Sequence, residues 1–216
     1  MSNCGIGLGG AVRSSCQEFN GVAWAAAAVV AQTRYTQFGG GKVNAGWVTG
    51  GYTGGAITTV CELFDGLAWQ TVNPDTLTRY QGCGSGNQTS AIITGGYGPG
   101  VINYTDGVRV FDGVCWSSIA NDLVATNSAN CFGTAEDAVR VGGATSGGVI
   151  ATAAQFNGTS WVATGSVAMT TQNGNHPCGY NGPATIGLLA GGTDTSATFS
   201  QVCYEYSRTL TAVEIN

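Results

Sequence analysis

Short apolar runs that end at a pair of glycines recur along the chain. The clearest pairs are Gly50-Gly51, Gly95-Gly96, Gly142-Gly143 and Gly191-Gly192, and an earlier pair, Gly9-Gly10, follows Gly-Ile-Gly-Leu. Short apolar runs bounded by glycine are typical of buried β-strands. The pattern therefore predicts one such strand in each of five similar segments.

A second marker is a hexad in which an aromatic residue is followed by Asx-Gly, two variable residues and a tryptophan. The hexads end at Trp24, Trp69, Trp116 and Trp161, so they recur about every 45 residues. Asn-Gly and Asp-Gly favour the positive φ angles of a tight hairpin turn. Each hexad therefore predicts a turn between two antiparallel strands.

The two markers divide the chain into five units, residues 1–31, 32–76, 77–123, 124–170 and 171–216, with no linker left over. Each unit is predicted to hold four short strands: a glycine-rich strand, the strand that ends at Gly-Gly, and the two strands that flank the hexad turn. Four-stranded units repeated around an axis form a β-propeller. We therefore predict one all-β domain, a five-bladed propeller, with a linear β-solenoid as the second choice.

Two parts of the repeat are irregular. Residues 22–30 have the alanine-rich, apolar composition of a helix core, but their place in the repeat predicts a fourth strand. Gly9-Gly10 lies so near the N-terminus that the first blade has little room for an innermost strand. Either Met1–Gly5 forms a stub of that strand, or a neighbouring chain supplies it.

This arrangement resembles the kelch repeat, in which a strand ending in Gly-Gly is followed by a variable loop and an aromatic-Asx-Gly-x-x-Trp step. The resemblance covers essentially the whole chain and implies a kelch-type propeller with fewer blades than is usual in that family. A narrower likeness, carried by Phe156–Trp161 and Gly179–Gly192, is to kelch-like repeats in phage tail, fibre and capsid-decoration proteins. That likeness implies a structural protein of a virion.

Composition and charge narrow the classes of function. Only 9% of residues are charged, the formal net charge is -5, and the chain has only seven Lys and Arg. Nucleic-acid binding needs a basic patch, so no nucleic-acid partner is expected. The chain lacks both a membrane-spanning apolar run and the segments of a secretory signal. We therefore expect no membrane insertion and no export signal, with synthesis in the host cytoplasm.

Residues suited to catalysis or metal binding are scarce. His176 is the single histidine, which is too few for the copper site of galactose-oxidase-like kelch enzymes or for most zinc sites. It has no nucleophile motif beside it. The main aspartates fall at hairpin corners and in loops, at Asp65, Asp112, Asp75, Asp106, Asp137 and Asp194. Turn geometry explains the corner residues, and we predict neither enzymatic activity nor a cofactor or metal.

Eight cysteines are many for a chain made in a reducing compartment. They fall at related places in the repeat, on third strands, on first strands, after a turn and near the N-terminus: Cys16, Cys61, Cys203, Cys83, Cys131, Cys178, Cys115 and Cys4. One interpretation is a repeat position that accepts a small buried thiol. The other is a set of disulfides between blades or subunits.

The hexad tryptophans and the Gly-Gly pairs are interpreted as framework residues, because they recur from unit to unit. Two aromatic residues are instead candidates for an interface or a ligand: Trp47, which breaks the pattern on a second strand, and Tyr97, in an inter-blade loop.

The leading functional hypothesis is a non-enzymatic virion protein of a phage capsid or tail, acting in assembly, decoration or host attachment. Its partners would be other virion proteins and copies of itself. The second hypothesis is a lectin that binds a host-surface glycan at shallow sites between blades. The third is a cytosolic kelch adaptor that binds protein through its loops.

Overall fold

The computed structural model describes residues 6–8, 13–100, 104–166, 179–180, 183–190 and 203–207. No helix occurs among these residues, so none of them belongs to a helical membrane span. The described strands are β1 Ile6–Leu8, β2 Cys16–Phe19, β3 Trp24–Ala27, β4 Phe38–Lys42, β5 Ala45–Thr49, β6 Cys61–Phe64, β7 Trp69–Val72, β8 Cys83–Asn87, β9 Ser90–Thr94, β10 Val108–Phe111, β11 Trp116–Ser118, β12 Asn130–Gly133, β13 Ala138–Val141, β14 Ala144–Thr145, β15 Gly148–Val149, β16 Thr152–Phe156, β17 Trp161–Ser166, β18 Gly179–Tyr180, β19 Ile186–Ala190 and β20 Cys203–Ser207.

Three units form antiparallel sheets in which strands that follow each other in the unit are neighbours. The orders are β4-β5-β6-β7 in the second unit, β8-β9-β10-β11 in the third and β12-β13-β16-β17 in the fourth. A two-stranded hairpin, β14-β15, lies in the loop that follows Gly-Gly in the fourth unit. The all-β prediction is thus confirmed, with four strands in each of these units.

Each hexad joins the third strand of its unit to the fourth, as the turn pattern predicts. The aromatic residue and the tryptophan face each other across the hairpin in the pairs Phe19–Trp24, Phe64–Trp69, Phe111–Trp116 and Phe156–Trp161. Residues 24–27 form strand β3. The alanine-rich stretch is therefore extended, because its place in a sheet outweighs its helix propensity.

The described strands of the first and last units form smaller sheets than those of the middle three. In the first unit they are the three-stranded sheet β1-β2-β3, and in the last the pair β19-β20. Strand β18 does not pair with β19 but runs parallel to β12 and also contacts β4 and β8. Parallel pairing follows from the repeat, because the first strands of successive units run in the same direction. No closed ring of sheets is formed by the described residues.

The hexad turn is held by the side chain of its Asx residue. In the second unit, Oδ1 of Asp65 accepts hydrogen bonds from the backbone N–H groups of Leu67 and Ala68, both at 2.8 Å. Gly66, between Asp65 and Leu67, has a φ of 96°, in the region that favours glycine. The two N–H donors lower the pKa of Asp65. Asn20, Asp112 and Asn157 make the same pair of bonds.

The core lies between neighbouring sheets, where Trp69, Trp116 and Trp161 each pack on the third strand of the preceding unit. Trp116 belongs to a cluster with Cys61, and Trp69 packs on a cluster that contains Cys16. In the fourth unit, Trp161 shares a cluster with Val108. Burial of such rings is a large part of the apolar surface removed from water in a small β-domain.

Candidate functional site

A guanidinium group lies buried at the same place in each of the three complete sheets. Its Nη1 donates to the carbonyl of the first glycine of Gly-Gly and to a second carbonyl at the start of the third strand. The groups and their acceptors are Arg34 with Gly50 and Val60, Arg79 with Gly95 and Gly107, and Arg140 with Gly142 and Thr152. The Gly-Gly pair thus supplies a carbonyl to a buried charge.

Although the guanidinium has one location, its residue comes from two places in the sequence. Arg34 and Arg79 lie in the segment that enters their units, whereas Arg140 lies on the second strand β13. Thr126 takes the position in the fourth unit that Arg79 has in the third, because Gly51 donates to the Arg79 carbonyl and Gly96 donates to the Thr126 carbonyl.

The counter-charge also comes from different positions. In the second unit it is Glu62, on a third strand, which is 2.6 Å from Arg34 and also accepts from the N–H groups of Ala31 and Gln32. In the fourth unit it is Asp122, which is 3.0 Å from Arg140. Both pairs are almost completely buried, so each is electrically balanced within the core.

The third unit differs because two arginines share one carboxylate. Asp75 is 2.8 Å from Arg109 and 3.6 Å from Arg79. Burial lowers the pKa of Arg79, an effect that Asp75 opposes and Arg109 increases. The Arg79 guanidinium also lies over the Phe38 ring, 5.7 Å from its centroid. Asp75 lies in a loop, as the sequence predicts, and its carboxylate is buried there in an ion pair.

A ladder of tyrosines lies beyond these ion pairs, at the end of the sheets where Gly-Gly stands. The backbones of Tyr35 and Tyr52 form an antiparallel bridge in the second unit, and those of Tyr80 and Tyr97 form the equivalent bridge in the third. Tyr97 also bridges to Tyr104 in the loop that follows. These bridges place five tyrosine side chains on the same end of two neighbouring units.

The five rings form a continuous row, which we call the tyrosine stripe. Consecutive centroids are 5.6, 5.7, 5.4 and 5.0 Å apart along the series Tyr35, Tyr52, Tyr80, Tyr97 and Tyr104. The step from Tyr52 to Tyr80 crosses the boundary between two units. All five rings are tilted or edge-on to one another, and all five residues are partly exposed.

The phenol groups are shielded by their neighbours. Burial raises the pKa of Tyr97, and the adjacent Tyr104 raises it further. Burial also raises the pKa of Tyr80, next to Tyr35 and Tyr52. Tyr80 and Tyr97 are therefore uncharged at neutral pH, and the stripe offers ring surface together with hydroxyl groups.

The fourth unit has the same backbone ladder without the tyrosines. Asn127 and Ala144 exchange N–H to carbonyl bonds of 2.9 Å, as Tyr80 and Tyr97 do with bonds of 3.1 and 2.8 Å. Asn127 and Ala144 are both buried. The ladder consequently forms without aromatic side chains, and the tyrosines are an additional feature of the second and third units.

Three residues next to the ladder have left-handed backbones. Thr36, Gln81 and Ser128 have φ angles of 52°, 60° and 52°, which are unusual for residues other than glycine. The N–H of Gln81 donates to the Thr36 carbonyl, and that of Ser128 donates to the Gln81 carbonyl, both at 2.7 Å. These inter-unit bonds compensate for the strained conformation and fix one unit against the next.

The two aromatic candidates from the sequence lie in different environments. Trp47 is only 2% exposed, and its indole N–H donates to the Gly86 carbonyl across the boundary between units. The inner strands leave room for this ring, because a Cβ at Gly84 would lie 2.9 Å from it. Trp47 thus has no surface to offer a ligand in this structure, whereas Tyr97 stands in the middle of the tyrosine stripe.

The repeat tryptophans differ in exposure. Trp116 and Trp161 are 8% and 5% exposed, and Trp69 is partly buried with its indole N–H donating to the Ala28 carbonyl. Trp24 is 54% exposed. The first three therefore serve as packing between units.

Cysteines are found both as thiols and as a disulfide. Cys83 and Cys131 form a disulfide that joins the inner strands of the third and fourth units. Cys16 and Cys61 are buried thiols, and Cys115 is an exposed one. Burial raises the pKa of Cys61 to about 11, so this thiol is protonated at neutral pH. Each of the two interpretations thus describes part of the set.

Several predicted residues lie partly or wholly outside the described part of the chain. Gly191, Gly192, Cys4, Cys178 and His176 lie outside the described residues, and Cys203 is described only as a member of β20. Within the described ranges, no three His, Cys, Asp or Glu residues come together in a way that could hold a metal ion. Asp65 and Asp112 are committed to turns and Asp75 and Asp122 to ion pairs, while Asp194 lies outside the described residues.

The spacing of the tyrosines in the sequence indicates most of the stripe, a feature that the sequence analysis above does not use. Tyr35 and Tyr80 are separated by one repeat length, and so are Tyr52 and Tyr97. A search for aromatic residues that recur in some units but not in others would have found four of the five rings.

Comparison of the chain with protein-family models gives no match, and comparison with curated proteins gives none either.

Proposed function

We propose that the chain is a non-enzymatic structural protein of a phage particle, on the capsid or tail, that acts in assembly or in attachment to the host surface. Its partners are other virion proteins and further copies of itself. The virion assignment rests on the likeness of the repeats to phage kelch-like proteins. The structure contributes the reasons for a structural and binding role.

The observation that supports this role best is the separation between a repeated framework and a surface present in only part of the repeat. The buried arginines, the carboxylates and the turn aspartates all bond to backbone or to each other. These groups stabilise the units and their boundaries. The tyrosine stripe is the aromatic surface that the framework does not need.

We further propose that the five units close into a five-bladed kelch-type propeller. The contacts of β18 with β4, β8 and β12 support this, because they gather first strands of four units around one axis. The exposed Trp24 supports it as well, since a fifth unit placed before the first would give this ring the packing that Trp116 has. A monomeric, compact particle in small-angle X-ray scattering would agree with closure, and an elongated one would favour a solenoid.

The proposed location is tested by mass spectrometry of purified particles of the phage whose genome encodes this chain. We expect the chain in stoichiometric amount in particles that have been banded twice on density gradients. A chain found only free in the lysate would contradict the virion role. Immunogold labelling would then distinguish capsid from tail.

Carbohydrate binding is the second candidate function, and the tyrosine stripe is the observation that favours it. A lectin role is compatible with the first proposal, because a virion protein that attaches to a host surface needs a ligand there.

A further inference from the structure

We propose that the tyrosine stripe is the binding site for a linear, uncharged glycan, laid along the five rings across the boundary between the second and third units. This inference rests on the proposed attachment function and names the ligand class and the site. The ligand would pack the C–H faces of successive sugar residues on the phenol rings and bond to their hydroxyl groups.

The stripe has the surface chemistry that a sugar chain requires. An aromatic ring carries a negative face, which attracts the weakly positive C–H groups of a sugar ring. The tyrosine hydroxyl both donates and accepts hydrogen bonds, as sugar hydroxyls do. The residues that follow Tyr35 and Tyr80 are the partly exposed Thr36 and Gln81, whose side chains donate to the Tyr35 carbonyl and to Ser128 Oγ.

The shape of the stripe favours a linear polymer over a protein surface. The rings lie in single file, each in contact with the next. A tyrosine has about 150–250 Å² to bury. No more than about one third of each of the five residues is exposed, so together they expose roughly 400 Å² at most. A stable protein interface covers about 800 Å² on each partner. The exposed rings supply only about half of that area.

Charge favours a neutral ligand. The chain carries a formal net charge of -5, so an acidic glycan or a phosphate polymer is repelled at long range. The basic residues nearest in sequence are Arg34 and Arg79, and both are buried below 4% exposure with their Nη1 groups on backbone carbonyls. These two guanidinium groups are therefore not available to an anionic sugar, and the exposed Arg13 reaches this ladder through a backbone bridge to Arg34.

The fourth unit shows that the rings are not required by the fold. Its ladder forms between Asn127 and Ala144 with backbone bonds of similar length. Five tyrosines are in contact on the second and third units, and the equivalent ladder of the fourth unit has none, which indicates a localised binding surface. Among the described ladders, the site is accordingly placed on the second and third units.

The test uses the full chain on an array of neutral and acidic glycans, followed by calorimetric titration with maltohexaose, cellohexaose and the best neutral oligosaccharide of the array. We expect binding to at least one neutral glycan, and at least tenfold weaker binding of its disaccharide. Tyr97→Ala and Tyr52→Ala should each weaken the binding at least tenfold. Trp24→Ala, which removes an exposed aromatic residue outside the stripe, should leave it unchanged.

Binding only of acidic glycans, binding that survives both tyrosine substitutions, or absence of any glycan binding would each overturn the inference. Circular dichroism and urea unfolding of each variant exclude loss by misfolding, and Tyr97→Phe provides a milder variant that keeps the ring. Absence of glycan binding would not change the result expected from mass spectrometry of purified particles. If the chain is present in particles but binds no glycan, the proposed ligand class is refuted and the structural role is retained.

Discussion

The third and fourth units share a four-stranded antiparallel sheet, and two of the differences between their side chains can be compared directly. The buried cation is Arg79 in one and Arg140 in the other, and the ladder carries Tyr80 and Tyr97 in one and Asn127 and Ala144 in the other. The buried cation is present in both units but comes from different sequence positions. The aromatic ladder residues are present in the third unit and absent from the fourth. Only the second kind of difference indicates function.

The largest expected effect tests the charge balance of the two units. Arg140→Met leaves Asp122 buried without its partner, which should cost about 3–5 kcal/mol of unfolding free energy. Arg109→Met should cost roughly half as much, because Asp75 keeps Arg79 as its counter-charge. Urea unfolding followed by tryptophan fluorescence measures both. Equal losses would show that the third unit does not share its carboxylate as described.

The disulfide that joins the two units is the next test. Cys83 and Cys131 are 48 residues apart, and closing a loop of this size stabilises a protein by about 2–4 kcal/mol. A reductant should lower the urea midpoint of the native chain and leave that of the Cys83→Ala/Cys131→Ala variant unchanged. Alkylation of both thiols in the unreduced native chain would contradict the cross-link.

A smaller effect is expected when the third unit is given the ladder residues of the fourth. Tyr80→Asn combined with Tyr97→Ala removes contacts between rings, each worth about 0.5–1.5 kcal/mol beyond the area that is buried. Three ring contacts are lost, and because all the rings are partly exposed we expect the low end of their sum, a loss of about 1.5–3 kcal/mol. The far-ultraviolet circular dichroism spectrum should be unchanged. A variant that no longer folds would place the tyrosines in the framework.

The smallest effect concerns the hexad corners and appears in the pH dependence. Backbone donors lower the pKa of Asp65 and of Asp112 in the folded state. Their contribution is therefore complete above the unfolded pKa of about 3.9 and is lost as the pH falls through the folded value. The thermal midpoint of Asp65→Asn/Asp112→Asn should fall less steeply below pH 4 than that of the native chain.

The fourth unit supplies the control for this measurement, because its corner residue is already Asn157 and makes the same two bonds. Asn157→Asp should make the acid slope steeper. Slopes that do not change in either variant would mean that the corner carboxylates are not held by the backbone in solution.

The strands and turns could be predicted from local chemistry. The positive φ of Gly66 and the side-chain acceptor of Asp65 are properties of a six-residue segment, so the hexad alone predicts its turn. The buried ion pairs could not be predicted in this way. Asp75 lies 34 residues from Arg109, and a lone aspartate in a polar segment has the same local pattern whether it faces water or a guanidinium.

The candidate site was only partly predictable for a related reason. Tyr97 was identified as a loop aromatic, but the row of five rings depends on the contact between Tyr52 and Tyr80 across two sheets. The sequence also offers Trp47 as a candidate, because it breaks the repeat pattern on a second strand. Their different roles follow from packing, since Trp47 fills a glycine-lined gap between inner strands and Tyr97 remains at the surface.

The sequence by itself determined the repeat, its four-stranded units and its hairpin corners, because each depends on residues within a few positions of one another. Tertiary structure decided which charges are buried together, which cysteines are bonded and which aromatic residues stay exposed. These outcomes depend on how neighbouring units pack, and the same burial can be achieved from different sequence positions, as Arg79 and Arg140 show.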